Sequence, residues 1–484
     1  MPDLTSRRRV LVLAICCMSL LIVGMDNTIV NVALPSIRRE LGASVSGLQW
    51  TVDAYTVVLA SLLILSGSTA DRLGRRRTFQ TGLVLFTLGS LLCSVAPGLG
   101  WLVAFRMMQA VGGSMLNPVA MSIITNVFTD PRERARAIGV WGGVIGLSIG
   151  IGPVVGGLLT ETLSWRAVFW INVPIGVAAV ILTALFVPES KAARARRIDP
   201  IGQVLVIVLL LSLTYAIIEA PRAGWGSMEI DSLVVVAILS LLALMVYEPK
   251  RVDPLIEIRF FHSIPFAGAT LIAVCTFGAF SGFLFLNTLY LQDVRGLSAL
   301  QAGLCMLPIA VVIVLLGPLS GRVVATRGPR GALIVAGTCM ALGALGLTRL
   351  TSDMSYWWLF GSYIVFAIGF AVVNVPITNT AVSGMPRSQA GVAAAVASTS
   401  RQVGASLGVA VVGSVVSAAV SAPSAANFAP ATHVAWWILV GLGLAVLALG
   451  IGTNGQRART SAARVAELFD DDALEERAPV GSRS

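Results

Sequence analysis

The sequence predicts an all-α polytopic membrane protein with fourteen transmembrane helices, built as two pseudo-symmetric six-helix bundles plus two extra central helices. Three observations predict it: recurrent long apolar runs, a lopsided distribution of arginine, and an internal repeat. The 484-residue chain is 56% hydrophobic and only 12% charged, about half the charge density of a soluble domain. Apolar runs recur along nearly all of it, each long enough, at about 18 residues or more, to cross a bilayer as a helix.

Taken in order, the runs place helices at 10–35, 46–69, 78–96, 101–125, 135–159 and 167–187, then at 200–219 and 231–248. Six more follow at 264–290, 300–322, 331–349, 355–382, 389–419 and 434–453. The first run follows Arg7-Arg8-Arg9 as a signal peptide would, but it is too long for an h-region and lacks a small-residue cleavage site before Pro35. The expected organisation is a tail at 1–9, a first bundle at 10–187, a linker with the two additional helices at 188–263, a second bundle at 264–453 and a tail at 454–484. That last tail, with "ELFDDDALEER" in it, reads as a short cytoplasmic helix or as disorder.

Orientation follows from the basic residues. With the N-terminus in the cytoplasm, the inside segments hold 26 of the 34 Lys and Arg and the outside loops hold 6, while Arg106 and Arg401 fall inside helices. Such an excess is what the positive-inside rule expects. Both termini are therefore expected in the cytoplasm and the chain in the inner (cytoplasmic) cell membrane. The net charge of +10 reflects this topology, and no nucleic-acid partner is expected.

The repeat pairs "VGGSMLNPVAMSIITNVFTDPRERARAIG" with "AIGFAVVNVPITNTAVSGMPRSQAGVAAA", so that Asn117 matches Asn374 and Pro131-Arg132 matches Pro386-Arg387. "GSTADRLGRRR" at 67–77 has an echo in "GPLSGRVVATRGPRG" at 317–331, without the aspartate. Parallel repeats about an axis along the membrane normal are one way to build a rocking transporter.

Several chemistries are not expected. The six cysteines (16, 17, 93, 275, 305 and 339) lie inside apolar runs without metal or redox spacing. They read as small buried hydrophobes. No phosphate-binding loop of the GxxxxGK[ST] kind occurs. No metal, cofactor, ATP site or enzymatic activity is expected, so the energy source must be an ion gradient.

Six motifs carry a family resemblance: "MDNTIVNVALPSI" (25–37), "GSTADRLGRRR" (67–77), "RMMQAVGG" (106–113), "GIGPVVGG" (150–157), "SWRAVFWINVPIG" (164–176) and "YLQDVRGLSALQAGL" (290–304). In this order on fourteen helices the chain resembles the fourteen-helix drug:proton antiporter branch of the major facilitator superfamily, over residues 8 to 455. The resemblance implies a proton-coupled exporter that works by alternating access. It also implies a coupling role for the helix-4 arginine, Arg106, and a loop between helices 2 and 3 that holds the cytoplasmic side shut.

The residues support those implications on their own terms. Of 24 acidic residues, only Asp26 and Asp53 lie well inside helices. Their depths, about 24 Å from the inner end of helix 1 and about 12 Å from the outer end of helix 2, suggest one shared cavity. Intramembrane carboxyls usually serve transport, and burial favours their neutral, protonated form. Arg106 stays charged, so it can hold a carboxylate ionised in one conformation and release it in another. Arg401 has no motif behind it; pairing across the cavity and facing substrate both stay open, as do substrate or coupling roles for Asn31, Asn117 and Asn374.

Two glycine-rich stretches complete the reading. In the loop, Gly67 is expected where a side chain would obstruct a neighbouring helix. Asp71 is expected to cap a facing helix N-terminus and to pair with Arg72, Arg75 or Arg134, with Gly74 at the turn: a conformational latch. On helix 5, Gly142, Gly146 and Gly150 at spacing four, then Gly152-Pro153 and Gly156-Gly157, permit close helix approach and a bend. Their match to the exporter motif favours antiport. A nutrient symporter sharing the fold, or a transport-inactive membrane sensor, remain as alternatives. The second half has no acid well inside a helix; Asp293 is at an edge. A small hydrophobic drug or antibiotic is the expected substrate and the protein is expected to be monomeric. The scarcity of lysine (191 and 250 alone) points to a GC-rich genome, which fits an antibiotic-producing or mycelial bacterium.

Overall fold

A computed structural model describes residues 5–192, 198–251, 253–383, 385, 389–419 and 428–475. The chain folds into helices throughout. The first half holds α1 (Ser6–Leu41), α2 (Val45–Leu73), α3 (Arg75–Ser94), α4 (Leu99–Val127), α5 (Pro131–Thr162), α6 (Ala167–Trp170) and α7 (Asn172–Phe186). Next come α8 (Pro200–Ala223) and α9 (Met228–Tyr247). The second half holds α10 (Ile264–Leu289), α11 (Ala299–Cys305), α12 (Leu307–Arg327), α13 (Pro329–Leu345), α14 (Tyr356–Val382), α15 (Ala390–Ala419) and α16 (Phe428–Gly452), and α17 (Gln456–Glu475) follows.

Each apolar run of the sequence coincides with a helix or with a helix broken once. The breaks fall at Ile171, between α6 and α7, and at Met306, between α11 and α12. At the second break Pro308 removes the N–H that would have bonded one turn back. Among the described residues, eleven spans are long and apolar enough to cross a membrane by length and composition, which is consistent with fourteen. Pro386 and Arg387, expected to mirror Pro131-Arg132, lie outside the described residues.

The two halves repeat one packing scheme. In the first, α1 packs on α5, α2 on α4, α3 on α4 and α3 on α7. In the second, α10 packs on α15, α12 on α14, α13 on α14 and α13 on α16. The halves meet along two pseudo-equivalent seams, α2 with α15 and α5 with α12. The α8–α9 pair stands outside the repeat, with α8 against both α2 and α15. The α17 helix lies at the start of α10: its apolar residues Ala458, Ala462, Val465 and Phe469 are buried, and Phe469 packs on Phe260.

Short signals fix the helix ends. Ser44 caps α2, Asp130 caps α5 through Arg132 and Glu133 N–H, and Asp199 caps α8; each side chain satisfies N–H groups that an α-helix leaves open. Gly42 ends α1 at φ 62°, a left-handed conformation that favours glycine.

The ends of the bundle differ. Call the end with the arginine-rich α2–α3 junction (71–77) the basic end, and the opposite one the far end. Toward the far end one buried apolar core joins both halves, with Ile29, Val52 and Phe169 beside Phe283, Ile309 and Val412. Toward the basic end the core divides, one part around Phe79, Leu83 and Ile123 and the other around Phe266, Ile377 and Val465. Polar bonds close the far end across the halves: Arg38 pairs with Asp293 at 3.0 Å and Gln292 Nε2 donates to the Val32 carbonyl at 2.8 Å. Glu161 accepts from Ser298 Oγ and from Leu300 N–H at the start of α11.

One face of α5 records the same divergence. A Cβ at Gly150 would stand 2.7 Å from Ala310 Cβ, one at Gly146 3.7 Å from Ile313, and one at Gly142 would meet nothing within 4 Å. Residues four apart share a helix face, so α5 and α12 touch at the far end and separate toward the basic end.

Candidate functional site: a buried charge cluster between α1 and α4

Among the described residues, the first half carries one fully buried ion pair. Arg106 of α4 and Asp26 of α1 are 1% and 0% exposed, and Arg106 Nη1 donates to Asp26 Oδ2. Asp26 Oδ1 accepts from Gln109 Nε2 at 2.9 Å and from Asn172 Nδ2 at 3.0 Å. Gln109 also donates to Ser90 Oγ at 2.7 Å and accepts from Arg106 Nη1 at 2.8 Å. Arg106 Nε donates to the Thr51 carbonyl, and its guanidinium lies 4.2 Å from the Tyr55 ring centre. Helical spacing explains the assembly: Arg106 and Gln109 are three apart on one face of α4, Thr51 and Tyr55 four apart on α2. A buried pair of this kind is held by both charges; loss of either leaves the other unpaired, at about 3–5 kcal/mol.

Asp53 is equally buried but looks elsewhere. Its Oδ1 accepts from Thr56 Oγ1 at 3.3 Å, while its Oδ2 has no hydrogen-bond partner among the described residues. Gln49, one turn earlier on the same face of α2, donates to the Val409 and Ala410 carbonyls of α15. Thr51 and Tyr55 face Arg106; Gln49 and Asp53 face α15. The two carboxylates therefore lie on opposite faces of α2, and the expected shared cavity is not what the helix presents. Similar depth left azimuth open.

Arg401 of α15 pairs with no carboxylate among the described residues. Its Nη2 donates to Thr378 Oγ1 at 2.5 Å and to the Asn374 carbonyl at 3.5 Å, with the Phe277 ring centre 6.0 Å away. The structure thus joins two of the sequence candidates, Arg401 and Asn374. Asn31 bonds back to the Asn27 carbonyl, and its Oδ1 has no hydrogen-bond partner among the described residues; the same is true of Asn117 Oδ1.

The 67–77 stretch is helical except at Gly74, which joins α2 to α3, and it meets one expectation and departs from two. Asp71 pairs with Arg75 at 3.0 Å, one of the three partners expected. First, Asp71 is not the cap of the facing helix. Glu189, beyond the end of α7, accepts from Arg76 N–H at 3.1 Å at the start of α3 and stands 3.8 Å from Arg77. The main chain completes the tie, Arg75 N–H to the Ser190 carbonyl at 2.9 Å and Ala192 N–H to the Asp71 carbonyl at 3.3 Å. Second, a Cβ at Gly67 would meet nothing within 4 Å, because the halves stand apart at this end. Gly74 behaves as a constrained glycine: its φ is 114°, and a Cβ would stand 2.6 Å from Glu189 Oε1. Glu189→Ala is therefore expected to lower stability by about 0.5–2 kcal/mol, the usual cost of a lost N-terminal cap. Asp71→Asn, which removes a half-exposed (i, i+4) pair, is expected to cost under about 0.5 kcal/mol. Thermal unfolding of the two purified variants checks the order, and an equal loss would refute it.

The glycine motif of α5 is two-faced. Gly152 and Gly156 press on Thr28 and Ile29 of α1, while Gly150, Pro153 and Gly157 press on α11 and α12. One face holds α5 within its half and the other forms the far-end seal.

Compared with known proteins, residues 16–409 match the family model of the Major Facilitator Superfamily. The chain belongs to the Major Facilitator Superfamily. Within the superfamily it is 34% identical over 418 residues to the "Multidrug resistance protein Stp" of Mycobacterium tuberculosis, covering 86% of this chain and 78% of that one. It is also 34% identical over 399 residues to the "Tetracenomycin C resistance and export protein" of Streptomyces glaucescens, covering 81% and 73%. A solved structure of a bacterial homologue of the human drug peptide transporters superposes with a TM-score of 0.62 at 14% identity, over 96% of this chain and 99% of that one. This superfamily member is a multi-pass membrane protein. Around Asp26, Gln109, Asn172 and Ser90 were not singled out from sequence. The first two lie inside "RMMQAVGG" and "SWRAVFWINVPIG", where a polar side chain in an apolar run was the available signal.

Proposed function

We propose that the protein exports a small hydrophobic drug or antibiotic in exchange for protons by alternating access, with the basic end and both termini in the cytoplasm and the gradient as sole energy source. The observation that carries this reading is the buried Asp26–Arg106 pair with its two amide donors. An ionised Asp26 ties α1 to α4 through Arg106 and to α7 through Asn172. A proton on Asp26 cancels its charge and turns one oxygen from acceptor to donor, which loosens α1 from both. Arg106 cannot carry the proton itself; it sets the strength of the hold. Asp53, at the α2–α15 seam, is the second proton candidate.

The structure's arrangement, closed at the far end and parted at the basic end, fits a substrate-loading state. In this reading the 67–77 segment, tied here to residues 189–192 beyond α7, meets the second half when the basic end closes. Arg401 with Asn374, and Asn31 and Asn117, are the polar candidates for substrate or coupling contacts. The relatives' names supply the substrate class. Antiport over symport rests on the α5 glycine motif.

One proton crossing at about 150 mV supplies roughly 3.5 kcal/mol, enough for a drug gradient of a few hundredfold at 1.4 kcal/mol per decade. Everted vesicles given a proton gradient are expected to accumulate dye or drug and to lose it when a protonophore is added. Efflux that survives a protonophore at constant ATP would refute proton coupling.

A further inference from the structure

Two arginines lie deep inside membrane helices and differ in what they meet. Arg106 is 1% exposed and paired with Asp26. Arg401 lies about 17 Å along α15 from Ala390, near the middle of a hydrocarbon core of about 30 Å, and no carboxylate pairs with it among the described residues. A guanidinium keeps its charge, and a charge held at that depth is costly until an opposite charge joins it. The groups around Arg401 are neutral. Thr378 Oγ1 and the Asn374 carbonyl both accept from Nη2, Nε is enclosed without a hydrogen-bond partner, and Nη1 donates to none of the described residues. Asp53 also faces α15, yet no ion pair joins it to Arg401 and its Oδ2 is itself without a partner.

This charge is within reach of a ligand. Other helices surround α15, which packs on α2, α8, α10, α14 and α16, and none of its residues from Val392 to Ser417 is exposed. On the basic-end side, however, four residues in succession, Ser400 to Val403, remain partly exposed. The packing closes from the next residue on: Gly404 presses on Val274 of α10 and Gly408 on Gly278. Arg401 therefore stands where the looser packing of the basic side ends against the tight one. Phe277 of α10, whose ring centre is 6.0 Å from the guanidinium, and Asn374 and Thr378 of α14 are partly exposed beside it.

From this placement we propose that Arg401 is a specificity-determining residue, the counter-charge for a carboxylate on an otherwise apolar substrate. The guanidinium presents a planar set of donors that matches a carboxylate, Thr378 and Asn374 hold it in position, and the Phe277 ring offers an apolar face to the rest of the molecule. The same unpaired charge acts against cationic compounds, since like charges brought together at such a site are penalised. The substrate class thereby narrows from any small hydrophobic compound to lipophilic acids. This inference rests on the export reading above for the nature of the occupant.

The test compares two fluorescent probes of one shape, pyrenebutyrate, which is ionised at neutral pH, and the neutral pyrenebutanol. The purified wild-type protein is expected to bind the carboxylate at least tenfold more tightly than the alcohol. Arg401→Gln is expected to weaken pyrenebutyrate binding at least tenfold and to leave pyrenebutanol binding within twofold, which also shows that the variant is folded. Arg401→Lys, which keeps the charge, is expected to retain a preference for the carboxylate. Equal affinities of the wild type for the two probes, or binding of neither, would overturn the proposal. So would an equal loss of both in Arg401→Gln, which would assign the arginine to holding α14 and α15 together. Unchanged binding of both probes, with gradient-driven clearance of both lost in everted vesicles, would overturn it in favour of a coupling role with Asp53. A wild-type protein that prefers the carboxylate in binding but clears neither probe under a proton gradient would sink the export reading and leave the carboxylate site standing.

Discussion

Asp26→Asn is expected to abolish gradient-driven export, by a hundredfold or more, while exchange of labelled for unlabelled drug without a gradient persists. Asparagine keeps the shape and an acceptor for Gln109 or Asn172 but has no ionisable proton. The variant also leaves Arg106 buried without its counter-charge, an effect of about 3–5 kcal/mol when one partner of a buried pair is lost. Part of the penalty will therefore appear as lower thermal stability. Exchange flux separates the two consequences, because a misfolded protein would lose exchange as well. Normal drug accumulation driven by the gradient in this variant would move the proton site elsewhere, with Asp53 next in line.

Gly157→Val is expected to open the far end. Its Cβ would stand 2.8 Å from Leu300 Cα and 2.9 Å from the Ala299 carbonyl carbon; these are backbone atoms, which cannot swing aside as a side chain does. Overpacking of this kind costs about 1–3 kcal/mol, and a state with the far ends apart escapes it. The equilibrium should shift about five- to 150-fold at 1.4 kcal/mol per decade. The readout is the reaction of a membrane-impermeant maleimide with a cysteine placed at Ser298, in a background lacking the six native cysteines. Gly142→Val, on the same helix but facing open space, should leave the labelling rate unchanged. Equal rates in the two variants would mean that the α5–α11 contact does not control the seal.

The helices were legible because a bilayer demands long apolar runs, and this chain interrupts them with little else. Asp26 and Arg106 were legible for the same reason: a charge inside such a run stands out. What surrounds them was less so. Glu189 caps α3 from 113 residues away, a distance over which no local pattern speaks, and Asp71 was the nearer carboxylate. Gly67 was assigned a packing role that depends on conformation, and here the halves are parted at that point. The separation of Asp26 from Asp53 was within reach of the sequence, since Gln49 and Asp53 alternate with Thr51 and Tyr55 around α2. Depth along a helix does not by itself fix direction around it. The breaks at Ile171 and Met306 interrupt runs that hydrophobicity alone reads as continuous.

The α5 glycine face has a mechanical meaning. Contact changes to open space between Gly150 and Gly142, about 12 Å of helix, so the fulcrum of any rocking lies near Gly150. From there to the start of α5 at Pro131 is a lever arm of about 28 Å. A rotation of about 10° at the fulcrum then sweeps the basic-end loops through roughly 5 Å, more than the reach of a hydrogen bond. In the alternating-access reading proposed above, small angular changes at this glycine-lined contact would be geared into the making or breaking of polar contacts at the other end of the molecule. A transporter so geared would need little deformation at the pivot, and would concentrate its travel at the basic end, where water can re-solvate whatever comes apart.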